Sequence, residues 1–436
     1  MQPEHSGRPV RVEPAAAVVG DLAVPGDKSI SHRVLLLGAL AEGTTEARGF
    51  GASADTLATA DAIRALGATV ELNGETARVG GVGLHGFTPP AGPIDCGNAG
   101  TLMRLLAGIL AGQEGRFELT GDESLSRRPL ERVAEPLRAM GATVATTDGH
   151  APLTIDGGRL RPISYELPVA SAQVKSAILL AGLQAGDGPT VVVERGPTRD
   201  HTERLLAAAG ARVTRSPRQA SVWPATVLRP LDVDVPGDFS SAAPFLVAAT
   251  LLAGSDLRVH GVGMNPTRTG FLSVLDRMGA RVSLFNRRSA GGEPIADVEV
   301  APAELVATEI RPEEVPLLVD ELPLFALVAG LARGESLVRG AEELRVKESD
   351  RLEAVKEVLR PLGVRIQTTQ DGFRVRGVPA RPRGGVSVDT HGDHRIAMLA
   401  AIAGAVSREG VEIQGAESVA VSYPEFFAVL DSLALR

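Results

Sequence analysis

Lys28 and Arg33 stand where a polar stretch gives way to an apolar one: Pro25-Gly26-Asp27-Lys28-Ser29-Ile30-Ser31-His32-Arg33 runs straight into Val34-Leu35-Leu36-Leu37-Gly38-Ala39-Leu40. Pro and Gly interrupt whatever precedes, Asp and Ser supply capping oxygens, and the apolar run predicts a buried helix. A helix start presents unpaired backbone N–H groups and the positive end of the macrodipole, so it attracts anions. Lys adds a point charge and Arg a bidentate fork, a pair suited to phosphate or carboxylate. For one isolated window, a capped helix with two solvated cations accounts for the same residues. The chain, however, repeats the device.

Asp95-Cys96-Gly97-Asn98-Ala99-Gly100-Thr101-Leu102-Met103-Arg104 places glycines on both sides of Asn98, where a ligand can approach backbone N–H groups closely. Downstream, Ser126-Arg127-Arg128-Pro129 puts two guanidiniums in a loop, with a solvated basic turn as the competing reading. Ser171-Ala172-Gln173-Val174-Lys175-Ser176 is followed by the loop Thr198-Arg199-Asp200-His201-Thr202. Asp320-Glu321 opens another apolar run, and Arg345-Val346-Lys347-Glu348-Ser349-Asp350-Arg351 follows it. Read as a helix, that stretch sets Lys347 and Arg351 four apart with Glu348 beside them, so a phosphate-binding pair would meet an acid. A charge-laced surface helix competes with this. His391-Gly392-Asp393-His394-Arg395 precedes the apolar Ile396-Ala397-Met398, whereas Asp238-Phe239-Ser240-Ser241 reads as a plain cap.

These stretches belong to a repeated unit. The signature apolar-Gly-Ala/Val-basic/Thr-apolar recurs around Gly67, Gly141, Gly210, Gly279 and Gly363, and such spacing marks a supersecondary repeat. Each Gly is placed just past a helix end with a strand starting behind it. Ala/Leu-rich helices begin near Ser29, Gly97, Ser171, Ser240, Asp320 and Gly392; lacking a polar face, they should be buried. Five copies of one signature and six of the other make six units, an α/β plan with mixed sheets. The Val235-Pro236-Gly237-Asp238 stretch echoes Val24-Pro25-Gly26-Asp27 near the middle of the chain and favours two equivalent lobes over one ring.

The net charge of −8 and only 3% aromatic residues argue against a nucleic-acid binder, so any anion site must be built by local placement of cations. A single cysteine, Cys96, rules out an internal disulfide and fits a reducing compartment, the cytoplasm. The start, Met1 to Pro9, lacks the apolar core of a secretory signal and reads as a loose tail. The longest apolar runs, Leu322 to Ala332 and Ile396 to Val406, fall short of the ~20 residues that a membrane span needs.

With these stretches assembled, the chain resembles the enolpyruvyl transferases, in particular the branch of that family acting on shikimate 3-phosphate. The matching motifs are Pro25 to Arg33, Gly97-Asn98-Ala99-Gly100-Thr101, Ser171 to Ser176, Arg345 to Arg351 and Gly392-Asp393-His394-Arg395. The resemblance implies two lobes of three βαβαββ-type units each, with an active site in the interlobe cleft. One lobe would comprise residues 23–236, and the other residues 1–22 and 237–436. It implies transfer of the enolpyruvyl group of phosphoenolpyruvate to the 5-hydroxyl of shikimate 3-phosphate, with release of phosphate through a tetrahedral intermediate. By motif position, Asp320 resembles the base at the hydroxyl, Glu348 the group that protonates carbon, and Lys28 the cation at the reacting oxygens. Lys28, Ser29, Arg33, Ser171, Ala172, Gln173, Arg199, Asp320 and Lys347 resemble the shikimate 3-phosphate contacts. Lys28, Gly100, Arg128, Gln173, Arg351 and Arg395 resemble the phosphoenolpyruvate contacts, with His394 either orienting them or structural. The sequence carries no dinucleotide, metal or flavin signature, so no cofactor or metal is expected, and a monomer without nucleic-acid or membrane partners is expected. Glyphosate is the expected inhibitor, with Gly100 leaving room for it. Val421-Ser422-Tyr423-Pro424 lacks the Lys that some members carry there. The competing assignments are the sister enzyme that uses UDP-N-acetylglucosamine, whose mobile loop usually carries a Cys that Ser124 to Pro129 lacks, and a non-catalytic anion-binding scaffold.

Overall fold

The computed structural model describes residues 7–436, so Met1 to Ser6 of the expected tail lie outside the described residues. Six apolar runs form helices whose side chains are almost entirely buried: Lys28–Leu40, Gly100–Leu110, Ala172–Gly182, Phe239–Leu251, Leu322–Leu331 and His394–Val406. Between them lie more amphipathic helices, Ala54–Ala65, Glu131–Met140, His201–Ala208, Gly270–Arg277 and Arg351–Leu359. Each of the latter ends at one of the five signature glycines, and all five have positive φ, from +87° at Gly210 to +110° at Gly141. Only glycine takes that conformation without strain, and the turn it makes sends the chain into the next strand.

Four sheets share one strand order. In the first, Asp232–Asp234 lies parallel beside Thr44–Arg48, followed antiparallel by Thr76–Gly80 and then Thr69–Asn73. The second, third and fifth units repeat it around Gly115–Thr120, Thr190–Val193 and Gly334–Val338. The other two sheets are completed by the start of the chain. Ala17–Ala23 pairs parallel with Asp256–Gly263, and Val10–Val12 pairs antiparallel with Val411–Gln414.

The chain packs as two compact lobes. The first comprises Pro25–Pro236 and Ser289–Glu293; the second comprises the chain up to Val24, Gly237–Arg288 and Pro294–Arg436. Each has its own apolar core, with the buried helices at its centre. Within the first lobe, Gly108 lies so close to the neighbouring helix that a Cβ there would meet the Ala177 carbonyl oxygen at 2.2 Å. That approach fixes helix Gly100–Leu110 against helix Ala172–Gly182, and with them the polar residues at their starts. Among the described residues, no helix is long and apolar enough to cross a membrane.

Candidate active site

In the first lobe, helix Lys28–Leu40 begins as expected: Asp27 is its N-cap, accepting from the Ile30 N–H at 2.9 Å. Lys28 is the first helical residue, and its Nζ lies 2.7 Å from Asp55 Oδ2. Ser29, one residue on, lends its carbonyl to Arg33 Nη1 at 2.9 Å. Arg33 is buried; its Nε donates to Thr202 Oγ1 at 2.7 Å and its Nη2 to Ser176 Oγ at 3.0 Å. Burial pushes its pKa down to about 10, opposed by the Glu203 and Asp27 carboxylates and aided by the nearby Arg199 charge. Below these groups Lys175 is 1% exposed, clamped by Glu194 at 3.0 Å and Glu203 at 2.7 Å.

The second helix start is built differently. Ala99 caps helix Gly100–Leu110 with no side-chain acceptor. Cations gather beside it: a Cβ on Gly100 would lie 2.6 Å from Arg104 Nη1 and 3.0 Å from Arg128 Nη1. Arg128 donates to Asn98 Oδ1, and Arg104 Nη1 donates to Gln173 Oε1 at 3.1 Å. Gln173 in turn reaches Thr101 Oγ1 at 3.0 Å. Ser171 caps helix Ala172–Gly182, whose first turn thus carries Ala172 and Gln173. Helix Ala172–Gly182 therefore bridges the two groups, with Gln173 among the guanidiniums at Gly100 and Ser176 on Arg33. Arg104 is the member of this cluster that the sequence reading leaves out; its place inside an apolar helix gives no hint of its role.

In the second lobe one guanidinium gathers the acids. Arg351, 2% exposed, donates Nη2 to Glu348 Oε2 at 2.7 Å, Nη1 to Asp320 Oδ1 at 3.3 Å and Nε to Asp393 Oδ2 at 2.8 Å. Burial works against its charge, but the Asp393, Glu348 and Asp320 carboxylates outweigh burial and hold its pKa above the ordinary range. Lys347 sits in the same field: burial lowers its pKa, Asp320 raises it, and Arg351 lowers it further. Arg395 N–H donates to Asp393 Oδ1 at 2.9 Å, and Arg395 Nη1 reaches the Ser240 carbonyl at 3.2 Å. His394 is buried beside it as the first residue of its helix.

Two sequence expectations are corrected here. The stretch Arg345 to Arg351 is not one helix. A 3-10 turn ends at Val346, Lys347 is extended, and the helix starts only at Arg351. Asp350 causes the break, because its carboxylate accepts from the Leu352 and Glu353 N–H groups and so defines a new N-cap. Lys347 and Arg351 are thus near each other across a bend. Nor is Asp238 a plain cap. It caps through the Ser240 N–H at 2.7 Å, but it also lies 3.4 Å from Arg268 Nη2, and Arg268 contacts Ser240, Glu321 and Asp320 as well.

Each lobe gathers charged side chains near its helix starts, and the whole chain superposes on the enolpyruvyl transferase NikO of Streptomyces tendae at 21% identity with a TM-score of 0.77. This is the enolpyruvyl transferase fold. The profile of the family described as EPSP synthase (3-phosphoshikimate 1-carboxyvinyltransferase) matches residues 12–430, and the chain belongs to that family. It is 50% identical to the 3-phosphoshikimate 1-carboxyvinyltransferase of Methylococcus capsulatus, over 97% of this chain and 96% of that one. It is 52% identical to that of Alkalilimnicola ehrlichii, over 95% and 93% of the two chains. Among solved structures, EPSP synthase from Acinetobacter baumannii matches with a TM-score of 0.86 and 43% identity, covering 98% of both chains.

Proposed function

We propose that the chain transfers the enolpyruvyl group of phosphoenolpyruvate to the 5-hydroxyl of shikimate 3-phosphate, releasing inorganic phosphate on the route to aromatic amino acids. The observation that carries the reaction chemistry is the pair of carboxylates on Arg351, with Asp320 at 3.3 Å and Glu348 at 2.7 Å on different nitrogens. The addition step removes one proton from oxygen and delivers another to carbon, and two carboxylates held on separate nitrogens of one guanidinium suit that division of labour. Asp320 takes the 5-hydroxyl proton as the oxygen attacks C2. Glu348 protonates C3, which gives a tetrahedral intermediate. Loss of a C3 proton and of phosphate from C2 then forms the enol ether, so atoms and charge balance.

Lys28, Ser29, Arg33, Ser171, Ala172, Gln173, Arg199 and Lys347, with Asp320, bind shikimate 3-phosphate in this reading. Lys28, Gly100, Arg128, Gln173, Arg351 and Arg395 bind phosphoenolpyruvate. Helix-start N–H groups and guanidinium forks favour doubly charged phosphates on both substrates. The protein works as a cytoplasmic monomer in this reading, because one chain supplies both residue sets and its single cysteine is buried and inert; burial pushes the Cys96 thiol pKa up.

The test is phosphate release from the purified protein with each substrate omitted in turn, and with UDP-N-acetylglucosamine as alternative acceptor. Release that requires both shikimate 3-phosphate and phosphoenolpyruvate supports the reading. Release only with the nucleotide sugar, or none at all, overturns it. Glyphosate should compete with phosphoenolpyruvate. Gly100→Ala, whose methyl would crowd the guanidiniums of Arg104 and Arg128, should raise the inhibitory concentration at least tenfold; equal inhibition of both proteins refutes this use of Gly100.

A further inference from the structure

We infer that Arg268 is a positioning residue for the Asp320 carboxylate, acting through a grip on the neighbouring Glu321. The inference rests on the reading of Asp320 as the base. Asp320 and Glu321 are adjacent in sequence and opposite in environment. Glu321 is fully buried, whereas the Asp320 side chain keeps 16% of its surface exposed. One carboxylate is the anchor and the other is presented.

Arg268 Nη1 lies 3.3 and 3.5 Å from the two Glu321 oxygens and 3.8 Å from Asp320 Oδ2. Its Nη2 donates to Ser240 Oγ, which itself donates to Glu321 Oε1. The other Asp320 oxygen faces Arg351 Nη1. Each oxygen of the presented carboxylate thus has its own cation, which restricts rotation of the group. The loop that carries Arg268 is itself fixed. Asn265 Oδ1 accepts from the Thr267 N–H at 3.0 Å, and a Cβ on Gly270 would meet Leu317 Cβ at 2.7 Å, so the loop is seated on the turn that leads to Asp320.

Stability alone is a poor reason for this arrangement. A buried ion pair roughly breaks even against apolar residues of the same volume, so the geometry that it imposes is the better account of it. At 3% exposure the Arg268 guanidinium is also a poor candidate for direct substrate contact. The network reaches the donor side as well, because the Ser240 carbonyl accepts from Arg395.

Among the charged groups facing Asp320 are Arg268, Arg351 and Lys347, with Glu321 beside it and Glu348 and Asp393 sharing Arg351. Removing one of those cations should make protonation of Asp320 easier. Steady-state kinetics across pH, with thermal melting as the folding control, would be measured for Arg268→Gln, Arg268→Lys and Asp320→Asn. Arg268→Gln should lower kcat by about 10- to 100-fold and move the acidic limb of the kcat profile to higher pH, with the KM for phosphoenolpyruvate changed less than about threefold. Arg268→Lys should also lose kcat, because an ammonium cannot reproduce the fork, yet should keep the limb in place. A folded variant of either kind with wild-type kcat overturns the inference, as does lost kcat in Arg268→Gln with an unmoved limb. Should Arg268→Gln not fold, reduced kcat at an unchanged melting temperature in Arg268→Lys supports it. Wild-type kcat in Asp320→Asn would instead overturn the reading of Asp320 as the base, whatever Arg268 does.

Discussion

A guanidinium presents its donors in a fixed plane, which lets Arg351 hold three carboxylates at once: Asp320 on Nη1, Glu348 on Nη2, and Asp393 across Nε and Nη2. Arg395 is held through its own backbone and one carbonyl contact, and it retains a buried Nε with no partner among the described residues. In the proposed reaction its fork binds phosphoenolpyruvate. Arg395→Lys should raise the KM for phosphoenolpyruvate at least tenfold, and unchanged donor affinity would refute its part in the clamp. In the proposed reaction, Lys28→Ala removes a charge-assisted contact made as charge develops. It should cost about 2–4 kcal/mol, or roughly 30- to 1,000-fold in rate. A loss under threefold in single-turnover assays would remove Lys28 from the chemistry. His32 bears on stability instead. Burial, reinforced by the Lys28 and Arg33 charges, pushes its pKa well below the usual value, and Nδ1 is 2.6 Å from Thr59 Oγ1. The unfolded chain takes up a proton at His32 below about pH 6.5 while the folded one does not, so this stability is lost as pH falls from there. Melting temperature against pH should slope less steeply between pH 7 and 5 in His32→Gln than in the wild type; equal slopes would rule His32 out.

At the scale of elements, the end of a helix decides where a side chain points. Asp350 stops the 3-10 turn from continuing and starts the helix that holds Arg351, and it also accepts from Arg345 Nη1 at 2.6 Å. Asp350→Ala should cost about 0.5–2 kcal/mol, read as a lower urea midpoint, with most of it restored by Asp350→Ser. The same element marks a limit of sequence reading. Lys347, Glu348 and Arg351 have the spacing of a charged helix face, and nothing in that pattern says that the carboxylate of Asp350 will be spent on the next turn's N–H groups. The glycine signature was legible for the opposite reason. A chain reversal after a helix needs positive φ, glycine meets that need at little cost, and the sequence therefore records the turn directly. The helix starts at Lys28, Gly100 and Ala172 were legible for the same kind of local reason. Arg268, Glu321 and Arg104 were not, because their meaning lies in partners up to 81 residues away.

At the scale of the molecule, the repeat count came from sequence, but the exchange of strands between repeats did not. Asp232–Asp234 closes the sheet of the first unit, and the opening strands close those of the fourth and sixth. A three-residue strand such as Val10–Val12 carries no periodicity from which to infer its partner. Deleting residues 1–12 should leave the Val411–Gln414 strand with one open edge, lower the melting temperature by several degrees and increase aggregation. A variant as stable as the full chain would show that the strand is dispensable.

Those opening strands also set a timetable for synthesis. Val10 is made roughly 400 residues before its partner Ile413, a delay of about 20–80 s at typical elongation rates. The four-stranded sheets of Pro25–Pro236 are all built from its own segments, so they can form while the second half is still being translated. The Val10–Val12 strand is thus among the last to find its place, and a nascent chain stalled before Val411 would carry that strand unpaired.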